Sequence, residues 1–177
     1  GCAYAFSADV KPGTAVDHFA GFIFNYGYEK DWIENRFYES NKLDGENSVG
    51  KSGISVNIHP AMIEVCVMTY NASTSTFSQI KYTHMLSEYI DSAFHKFSAM
   101  DDGSGNIRFA LDGDVFAYVT YENPGLLPSS STEYNERYYR TATIYDANGT
   151  QKATTSDALV SYVKSMAMGS RYRALNI

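Results

Sequence analysis

Phe77-Ser78-Gln79-Ile80-Lys81-Tyr82-Thr83-His84-Met85-Leu86-Ser87-Glu88-Tyr89-Ile90-Asp91-Ser92-Ala93-Phe94-His95-Lys96-Phe97 is the stretch on which the fold turns. Its apolar residues Tyr82, Met85, Leu86, Tyr89, Ile90, Ala93, Phe94 and Phe97 recur at the i, i+3, i+4, i+7 spacing of one buried helical face. The spacing therefore predicts an amphipathic helix over about 77–97. Thr76 with Gln79 three residues on supplies a capping box, and Asp101-Asp102-Gly103 supplies the stop.

The outer face of such a helix would carry His84, Glu88, Asp91 and His95 at i, i+4, i+7 and i+11. His84 with Glu88, or Asp91 with His95, could each hold a divalent metal as a one-turn pair. The two histidines would stand roughly 16 Å apart along the axis, so they could not share one ion. A carboxylate-bridged metal centre would need Glu-x-x-His pairs on further helices, and the chain has none. The stripe reads as a solvated helix face, and no cofactor is expected.

Working outward, a second helix is expected over about 156–168. Thr154, Thr155 or Ser156 would cap it, Leu159, Tyr162, Val163 and Met166 would form its inner face, and Gly169 would end it. Near the N-terminus, Pro12-Gly13-Thr14 with Asp17 predicts a turn and a helix over about 15–26, with another over about 30–38. Against that, Phe22, Phe24, Tyr26 and Tyr28 alternate as a strand would.

Strands are marked by β-branched and aromatic residues at period two. Ile54, Val56 and Ile58 alternate with polar residues, and Met62 to Tyr70 is apolar on both faces, as a central strand would be. Asn106 to Leu111 and Val115 to Tyr121 flank Asp112-Gly113, a strong hairpin signal, and Arg137 to Tyr145 leads through Asn148-Gly149 to a return strand near Gln151. The order predicts an α+β fold: an antiparallel sheet of about five or six strands with helices packed on it, in one domain spanning 1–177.

The register at Asp112 decides a surface. A two-residue loop places Phe116 and Tyr118 beside Ile107 and Phe109. A three-residue loop turns Val115, Ala117 and Val119 to that side and leaves Phe116, Tyr118 and Thr120 outward, because a one-residue slip exchanges the faces. The second register gives the cleaner apolar face. It makes Phe116 and Tyr118, with Tyr138 and Tyr139 on the later strand, candidate contact residues.

Composition narrows the function. The net charge is −6, and the 14 Lys and Arg form no basic stripe. Nucleic-acid binding depends on neutralising phosphates, so nucleic acid is not an expected partner. No apolar run approaches the roughly 20 residues of a transmembrane helix. Tyr occurs 15 times, and it supplies contact area with a polar tip at low entropic cost. Gly1-Cys2 is what a bacterial lipoprotein signal shows when read across its cleavage site, where the Cys becomes the lipidated first residue, and it is also what a tag scar leaves in front of a Cys, which makes Cys2 a candidate for lipidation. Cys66 lies inside an apolar strand and reads as a small buried hydrophobe. Asn71-Ala72-Ser73 and Asn148-Gly149-Thr150 match the glycosylation pattern of a secreted chain.

Chemical motifs are few. Gly45-Glu46-Asn47-Ser48-Val49-Gly50-Lys51-Ser52 has the spacing of a phosphate-binding loop. Such a loop must follow a buried strand and open a helix. Here polar residues precede it and a strand pattern follows, so it reads as a surface loop. Asp102-Gly103-Ser104-Gly105-Asn106 and Asp146-Ala147-Asn148-Gly149 hint at calcium loops but lack the glycine and glutamate of that motif and read as turns. His59 and Glu64 are the candidate groups of a catalytic or ligand-carrying pocket, with burial expected to raise the Glu64 pKa.

Two functions remain in view. One is a non-enzymatic extracellular or cell-surface module for binding or assembly, adhesin-like or self-associating, with a protein or possible carbohydrate partner. The other is a small enzyme or ligand carrier with its site in the cavity of a curved sheet.

Overall fold

The computed structural model describes residues 3–15, 17–27, 52–71, 76–125, 138–155, 160–161 and 166–170. Among these residues the fold is all β: twelve strands in two antiparallel sheets, with no helix. The strands are β1 (Tyr4–Val10), β2 (Ala20–Gly27), β3 (Ser52–Ile58), β4 (Met62–Asn71), β5 (Thr76–Met85) and β6 (His95–Asp101), then β7 (Asn106–Leu111), β8 (Asp114–Gly125), β9 (Tyr138–Asp146), β10 (Gln151–Thr154), β11 (Val160–Ser161) and β12 (Met166–Ser170). The five-stranded sheet runs β12-β2-β3-β4-β5. The seven-stranded sheet runs β1-β6-β7-β8-β9-β10, with β11 also paired to β9.

The α+β expectation is therefore wrong. The 77–97 stretch is not a helix: residues up to Met85 form β5, a connecting segment follows, and β6 begins at His95 in the opposite sheet. Every residue of β5 from Thr76 to Met85 pairs with β4. Two main-chain bonds tie the connecting segment down, from Leu86 N to Ala61 O at 3.0 Å and from Ile90 N to Pro60 O at 2.9 Å. Ile80 and Tyr82 pack on the core while Lys81 is exposed, the period of a strand. The helix expected over 15–26 is likewise strand β2 from Ala20 onward, with Phe22 and Phe24 fully buried. The described parts of 156–168 belong to β11 and β12. The helix expected over 30–38 lies outside the described residues.

Strands expected from period two are present as β3, β4, β7, β8, β9 and β10. β4 pairs on both sides, as its two apolar faces require. The two sheets pack face to face over one core. Phe22 and Phe24 from β2 meet Phe97 from the other sheet, Phe24 also meets Phe109, Phe116 packs on Phe97 and Phe109, and Phe22 stacks on Phe97 at 4.6 Å between centroids. Stacked and tilted ring pairs add roughly 0.5–1.5 kcal/mol each beyond the area they bury, so this cluster holds the sheets together.

The Asp112-Gly113 hairpin combines the two registers considered above. The loop has two residues, with Leu111 opposite Asp114 and positive φ at Asp112 (52°) and Gly113 (92°), a primed turn. A β-bulge then shifts the register between Phe109 and Ala110, so that Phe109 faces Ala117 and Ile107 faces Val119. The extra residue lets Phe116 and Ala117 both turn inward. Tyr118 faces outward, but Phe116 is 2% exposed, so the outward placement expected for Phe116 is corrected.

Candidate functional site

The outward faces of the two sheets differ. On the five-stranded sheet, Ile23, Asn25, Ser55, Asn57 and Cys66 alternate with the core residues and would face away from the sandwich, yet all are buried. Among the described residues, the side-chain polar atoms of Asn25, Ser55 and Asn57 are buried without a hydrogen-bond partner. At the end of this face His59 follows β3. Its ring lies 5.2 Å from that of Phe19, and its Nε2 stands 3.5 Å from Glu64 Oε2. That distance is in ion-pair range but too long for a good hydrogen bond. The Lys81 ammonium sits on the other Glu64 oxygen.

Glu64 therefore behaves opposite to the sequence expectation. The His59 ring beside it, together with Lys81, outweighs burial and pulls its pKa from 4.5 down to about 2. It is a fixed carboxylate within an ion pair. Cys66, two residues on, is a buried cysteine outside any disulfide.

The supposed metal stripe is dispersed by the real fold. His84 lies in β5, its ring 5.8 Å from that of Phe116. Glu88 and Asp91 lie in the connecting segment, and His95 opens β6. His95 Nδ1 lies 2.6 Å from Asp112 Oδ2, while Asp112 Oδ1 accepts from Lys96 N at 2.7 Å, so this pair fastens the β7–β8 turn to β6. Among the described residues no group of three or more His, Cys, Asp or Glu could hold a metal. The Asp102 carboxylate accepts from Ser104 and Asn106, and Asp146 accepts from Asn148 and Thr150 within its own turn. Both are turn-closing aspartates. The Gly45–Lys51 part of the phosphate-loop motif and Cys2 lie outside the described residues.

The seven-stranded sheet presents a built surface. Its outward residues fall into rows across the strands. Ser7, Ser98, Ala110 and Val115 are successive partners through β1, β6, β7 and β8. Ala5, Met100, Arg108, Tyr118 and Tyr145 form the neighbouring row. On the other side, Lys96 bridges to Asp9 at 3.0 Å. The small residues of the middle row make the floor of a groove of about 380 Å³, walled by Met100 and Arg108 and reaching Gly113 at the turn. Met100 is 45% exposed, large for an apolar side chain. Tyr118, singled out from the sequence, stands beside this groove. Tyr138 and Tyr139 lie on β9, and only their backbone is described. Sequence reasoning missed Ser7, Ser98, Met100 and Arg108. The one available signal was period two, which puts Arg108 outward between buried Ile107 and Phe109.

Met85 at the end of β5, with Tyr89 and Phe94 in the segment joining the sheets, is also exposed to solvent. Among the described residues no helix is long and apolar enough to cross a membrane. No family model matches this chain, and no curated protein matches it in sequence.

Proposed function

We propose that this chain is a non-enzymatic binding module of the secreted or cell-surface kind, and that it engages its partner through the outer face of the seven-stranded sheet. The observation that carries this reading is the groove of about 380 Å³ crossing β1, β6, β7 and β8, with a floor of small side chains and a wall of Met100 and Arg108. Concave surfaces with a few placed polar groups are where ligands bind. A Tyr-rich, acidic composition agrees with a contact role at an extracellular surface.

The competing reading, a small enzyme or ligand carrier built on His59 and Glu64, has weaker support. A general base works best with a pKa near the operating pH, whereas Lys81 and His59 hold Glu64 far below it.

Thermal unfolding against a panel of glycans and peptides tests the proposal. A ligand at about 100 times its Kd stabilises by about 2.7 kcal/mol, a shift of roughly 5–10 °C for a domain of this size. The shift should vanish in Ser98→Trp, which fills the groove floor, and in Ser7→Trp on the edge strand β1. A ligand whose shift survives both substitutions would bind elsewhere and end this reading. The assembly form, with a second copy as partner, predicts a mass that rises with concentration in sedimentation and a loss of that rise in the same variants.

A further inference from the structure

Resting on the groove reading, we infer that the ligand is an acidic oligosaccharide whose carboxylate seats on Arg108. The inference starts from charge. Along this face the Asp9 and Lys96 side chains neutralise one another, and the turn carboxylate of Asp112 is taken up by His95 and Lys96 N. Arg108 is different. Among the described residues its one polar contact is a weak one, from Nη2 to Met100 Sδ at 3.2 Å, and no carboxylate meets it. It is an exposed guanidinium on the wall of a groove, in a chain of net charge −6. A guanidinium is a rigid planar fork of donors that matches a carboxylate with two parallel bonds.

The floor and the far end of the wall select the rest of the ligand. Ser7 and Ser98 put two hydroxyls on the floor, suited to exchanging hydrogen bonds with sugar hydroxyls. Tyr118 and Tyr145 continue the Arg108 row on β8 and β9, beyond the residues that line the groove, where tyrosine side chains would meet a sugar extending past Arg108. Across its four strands the groove is about 14 Å long, from strand spacings of about 4.8 Å, which suits a short linear glycan.

An extended acidic peptide fits less well. The groove runs across the strands, and β6 and β7 are paired on both sides. Their main-chain N–H and C=O groups already bond within the sheet, so a peptide backbone lying in the groove would find no ladder to join. A glycan has no backbone amides to satisfy.

The test uses the whole chain on an array carrying uronate- and sialate-bearing glycans, their neutral counterparts and acidic peptides, with hits quantified by calorimetry. Wild type should bind carboxylate-bearing glycans and prefer them at least tenfold to the matched neutral ones. Arg108→Ala should weaken that binding at least tenfold, Arg108→Lys should recover part of it, and both should keep the wild-type Tm, since Arg108 is exposed. Binding of neutral glycans with no response to Arg108→Ala, but lost in Ser98→Trp, would overturn the carboxylate assignment and leave the groove reading standing. Arg108-dependent binding of acidic peptides without glycan binding would overturn the ligand class. Glycan binding that persists in both Ser98→Trp and Ser7→Trp would overturn the groove itself, and no binding to any array member would overturn the inference.

Discussion

Phe116→Ala tests the fold at the point where the two hairpin registers diverge. In the structure Phe116 is 2% exposed and packs among Phe97, Phe109 and His84, with ring centroids 6.5, 6.4 and 5.8 Å away. Truncating a buried phenylalanine removes its transfer free energy and leaves a cavity, for a total of about 3–5 kcal/mol. Collapse is limited here because Phe97 and Phe109 sit on strands β6 and β7, each paired on both sides, so we expect about 3–4 kcal/mol. In urea, with a slope of about 2 kcal/mol/M for a chain of this size, the midpoint should fall by about 1.5–2 M, followed by far-ultraviolet circular dichroism. Tyr118→Ala is the control. That side chain faces outward and should cost less than about 1 kcal/mol. If Phe116→Ala stays within about 0.5 kcal/mol of wild type, the ring is at the surface, and the bulge between Phe109 and Ala110 and the sandwich core built on it are both wrong.

Other consequences are checked by the same unfolding measurement. The Glu64 pKa is lowered in the folded state, so its contribution to stability is fully present above about pH 4.5 and is lost as pH falls towards about 2; Glu64→Gln should flatten the stability profile across that window, and an unchanged acid limb would show the ion pair to be inert. Asp112 holds φ 52° and accepts from both His95 and Lys96 N, so Asp112→Ala should cost about 1 kcal/mol more than Asp112→Gly, which loses the same bonds without the left-handed strain; equal costs would argue against that strain. Among the described residues the Ser55 hydroxyl is buried without a partner, and burying such a group is unfavourable by about 1–3 kcal/mol, so Ser55→Ala should hold or raise Tm, by up to about 10 °C. A fall in Tm of that size would reveal a hydrogen bond at that position.

The strands were legible wherever a local signal sufficed. β3 alternates Ile54, Val56 and Ile58 into the core, and the hairpin at Asp112-Gly113 is a two-residue turn of the type its sequence specifies. The 77–97 stretch misled because two strands and their connection happen to space apolar residues at 3.6. Composition carried the opposite signal. Residues 77–84 hold Phe77, Ile80, Tyr82 and Thr83, which favour a strand, against Gln79 and Lys81, which favour a helix. Ile80, Tyr82 and His84 fall on alternate positions, each opposite a core residue of β4. Ser87 and Ser92 fall in the connection, where short polar residues favour turns. Phe22 and Phe24 repeat the lesson, since alternation is what a half-buried strand needs and Gly21 and Gly27 weaken a helix. The bulge that buries Phe116 adds one residue to one strand, and neither simple register anticipates it.

The candidate site was legible only in part, for a topological reason. Tyr118 could be placed outward from its own strand. Arg108 and Tyr118 share a hairpin, but Ser7 and Ser98 meet only because the N-terminal strand β1 pairs with β6. That pairing joins residues far apart in the chain and leaves no local mark in either segment. The same topology explains why the groove lies where it does. On β2 and β3 the five-stranded sheet is buried on its outward side as well as its core side, as Asn25, Ser55 and Asn57 show, whereas Ser7, Met100 and Arg108 on the outward face of the seven-stranded sheet are exposed. On that face a run of Ser7, Ser98, Ala110 and Val115 leaves the depression, and the longer side chains of the next row, Met100 and Arg108, become its wall. A groove made this way depends on side-chain size alone, which is why one tryptophan on its floor should close it while the sandwich beneath stays intact.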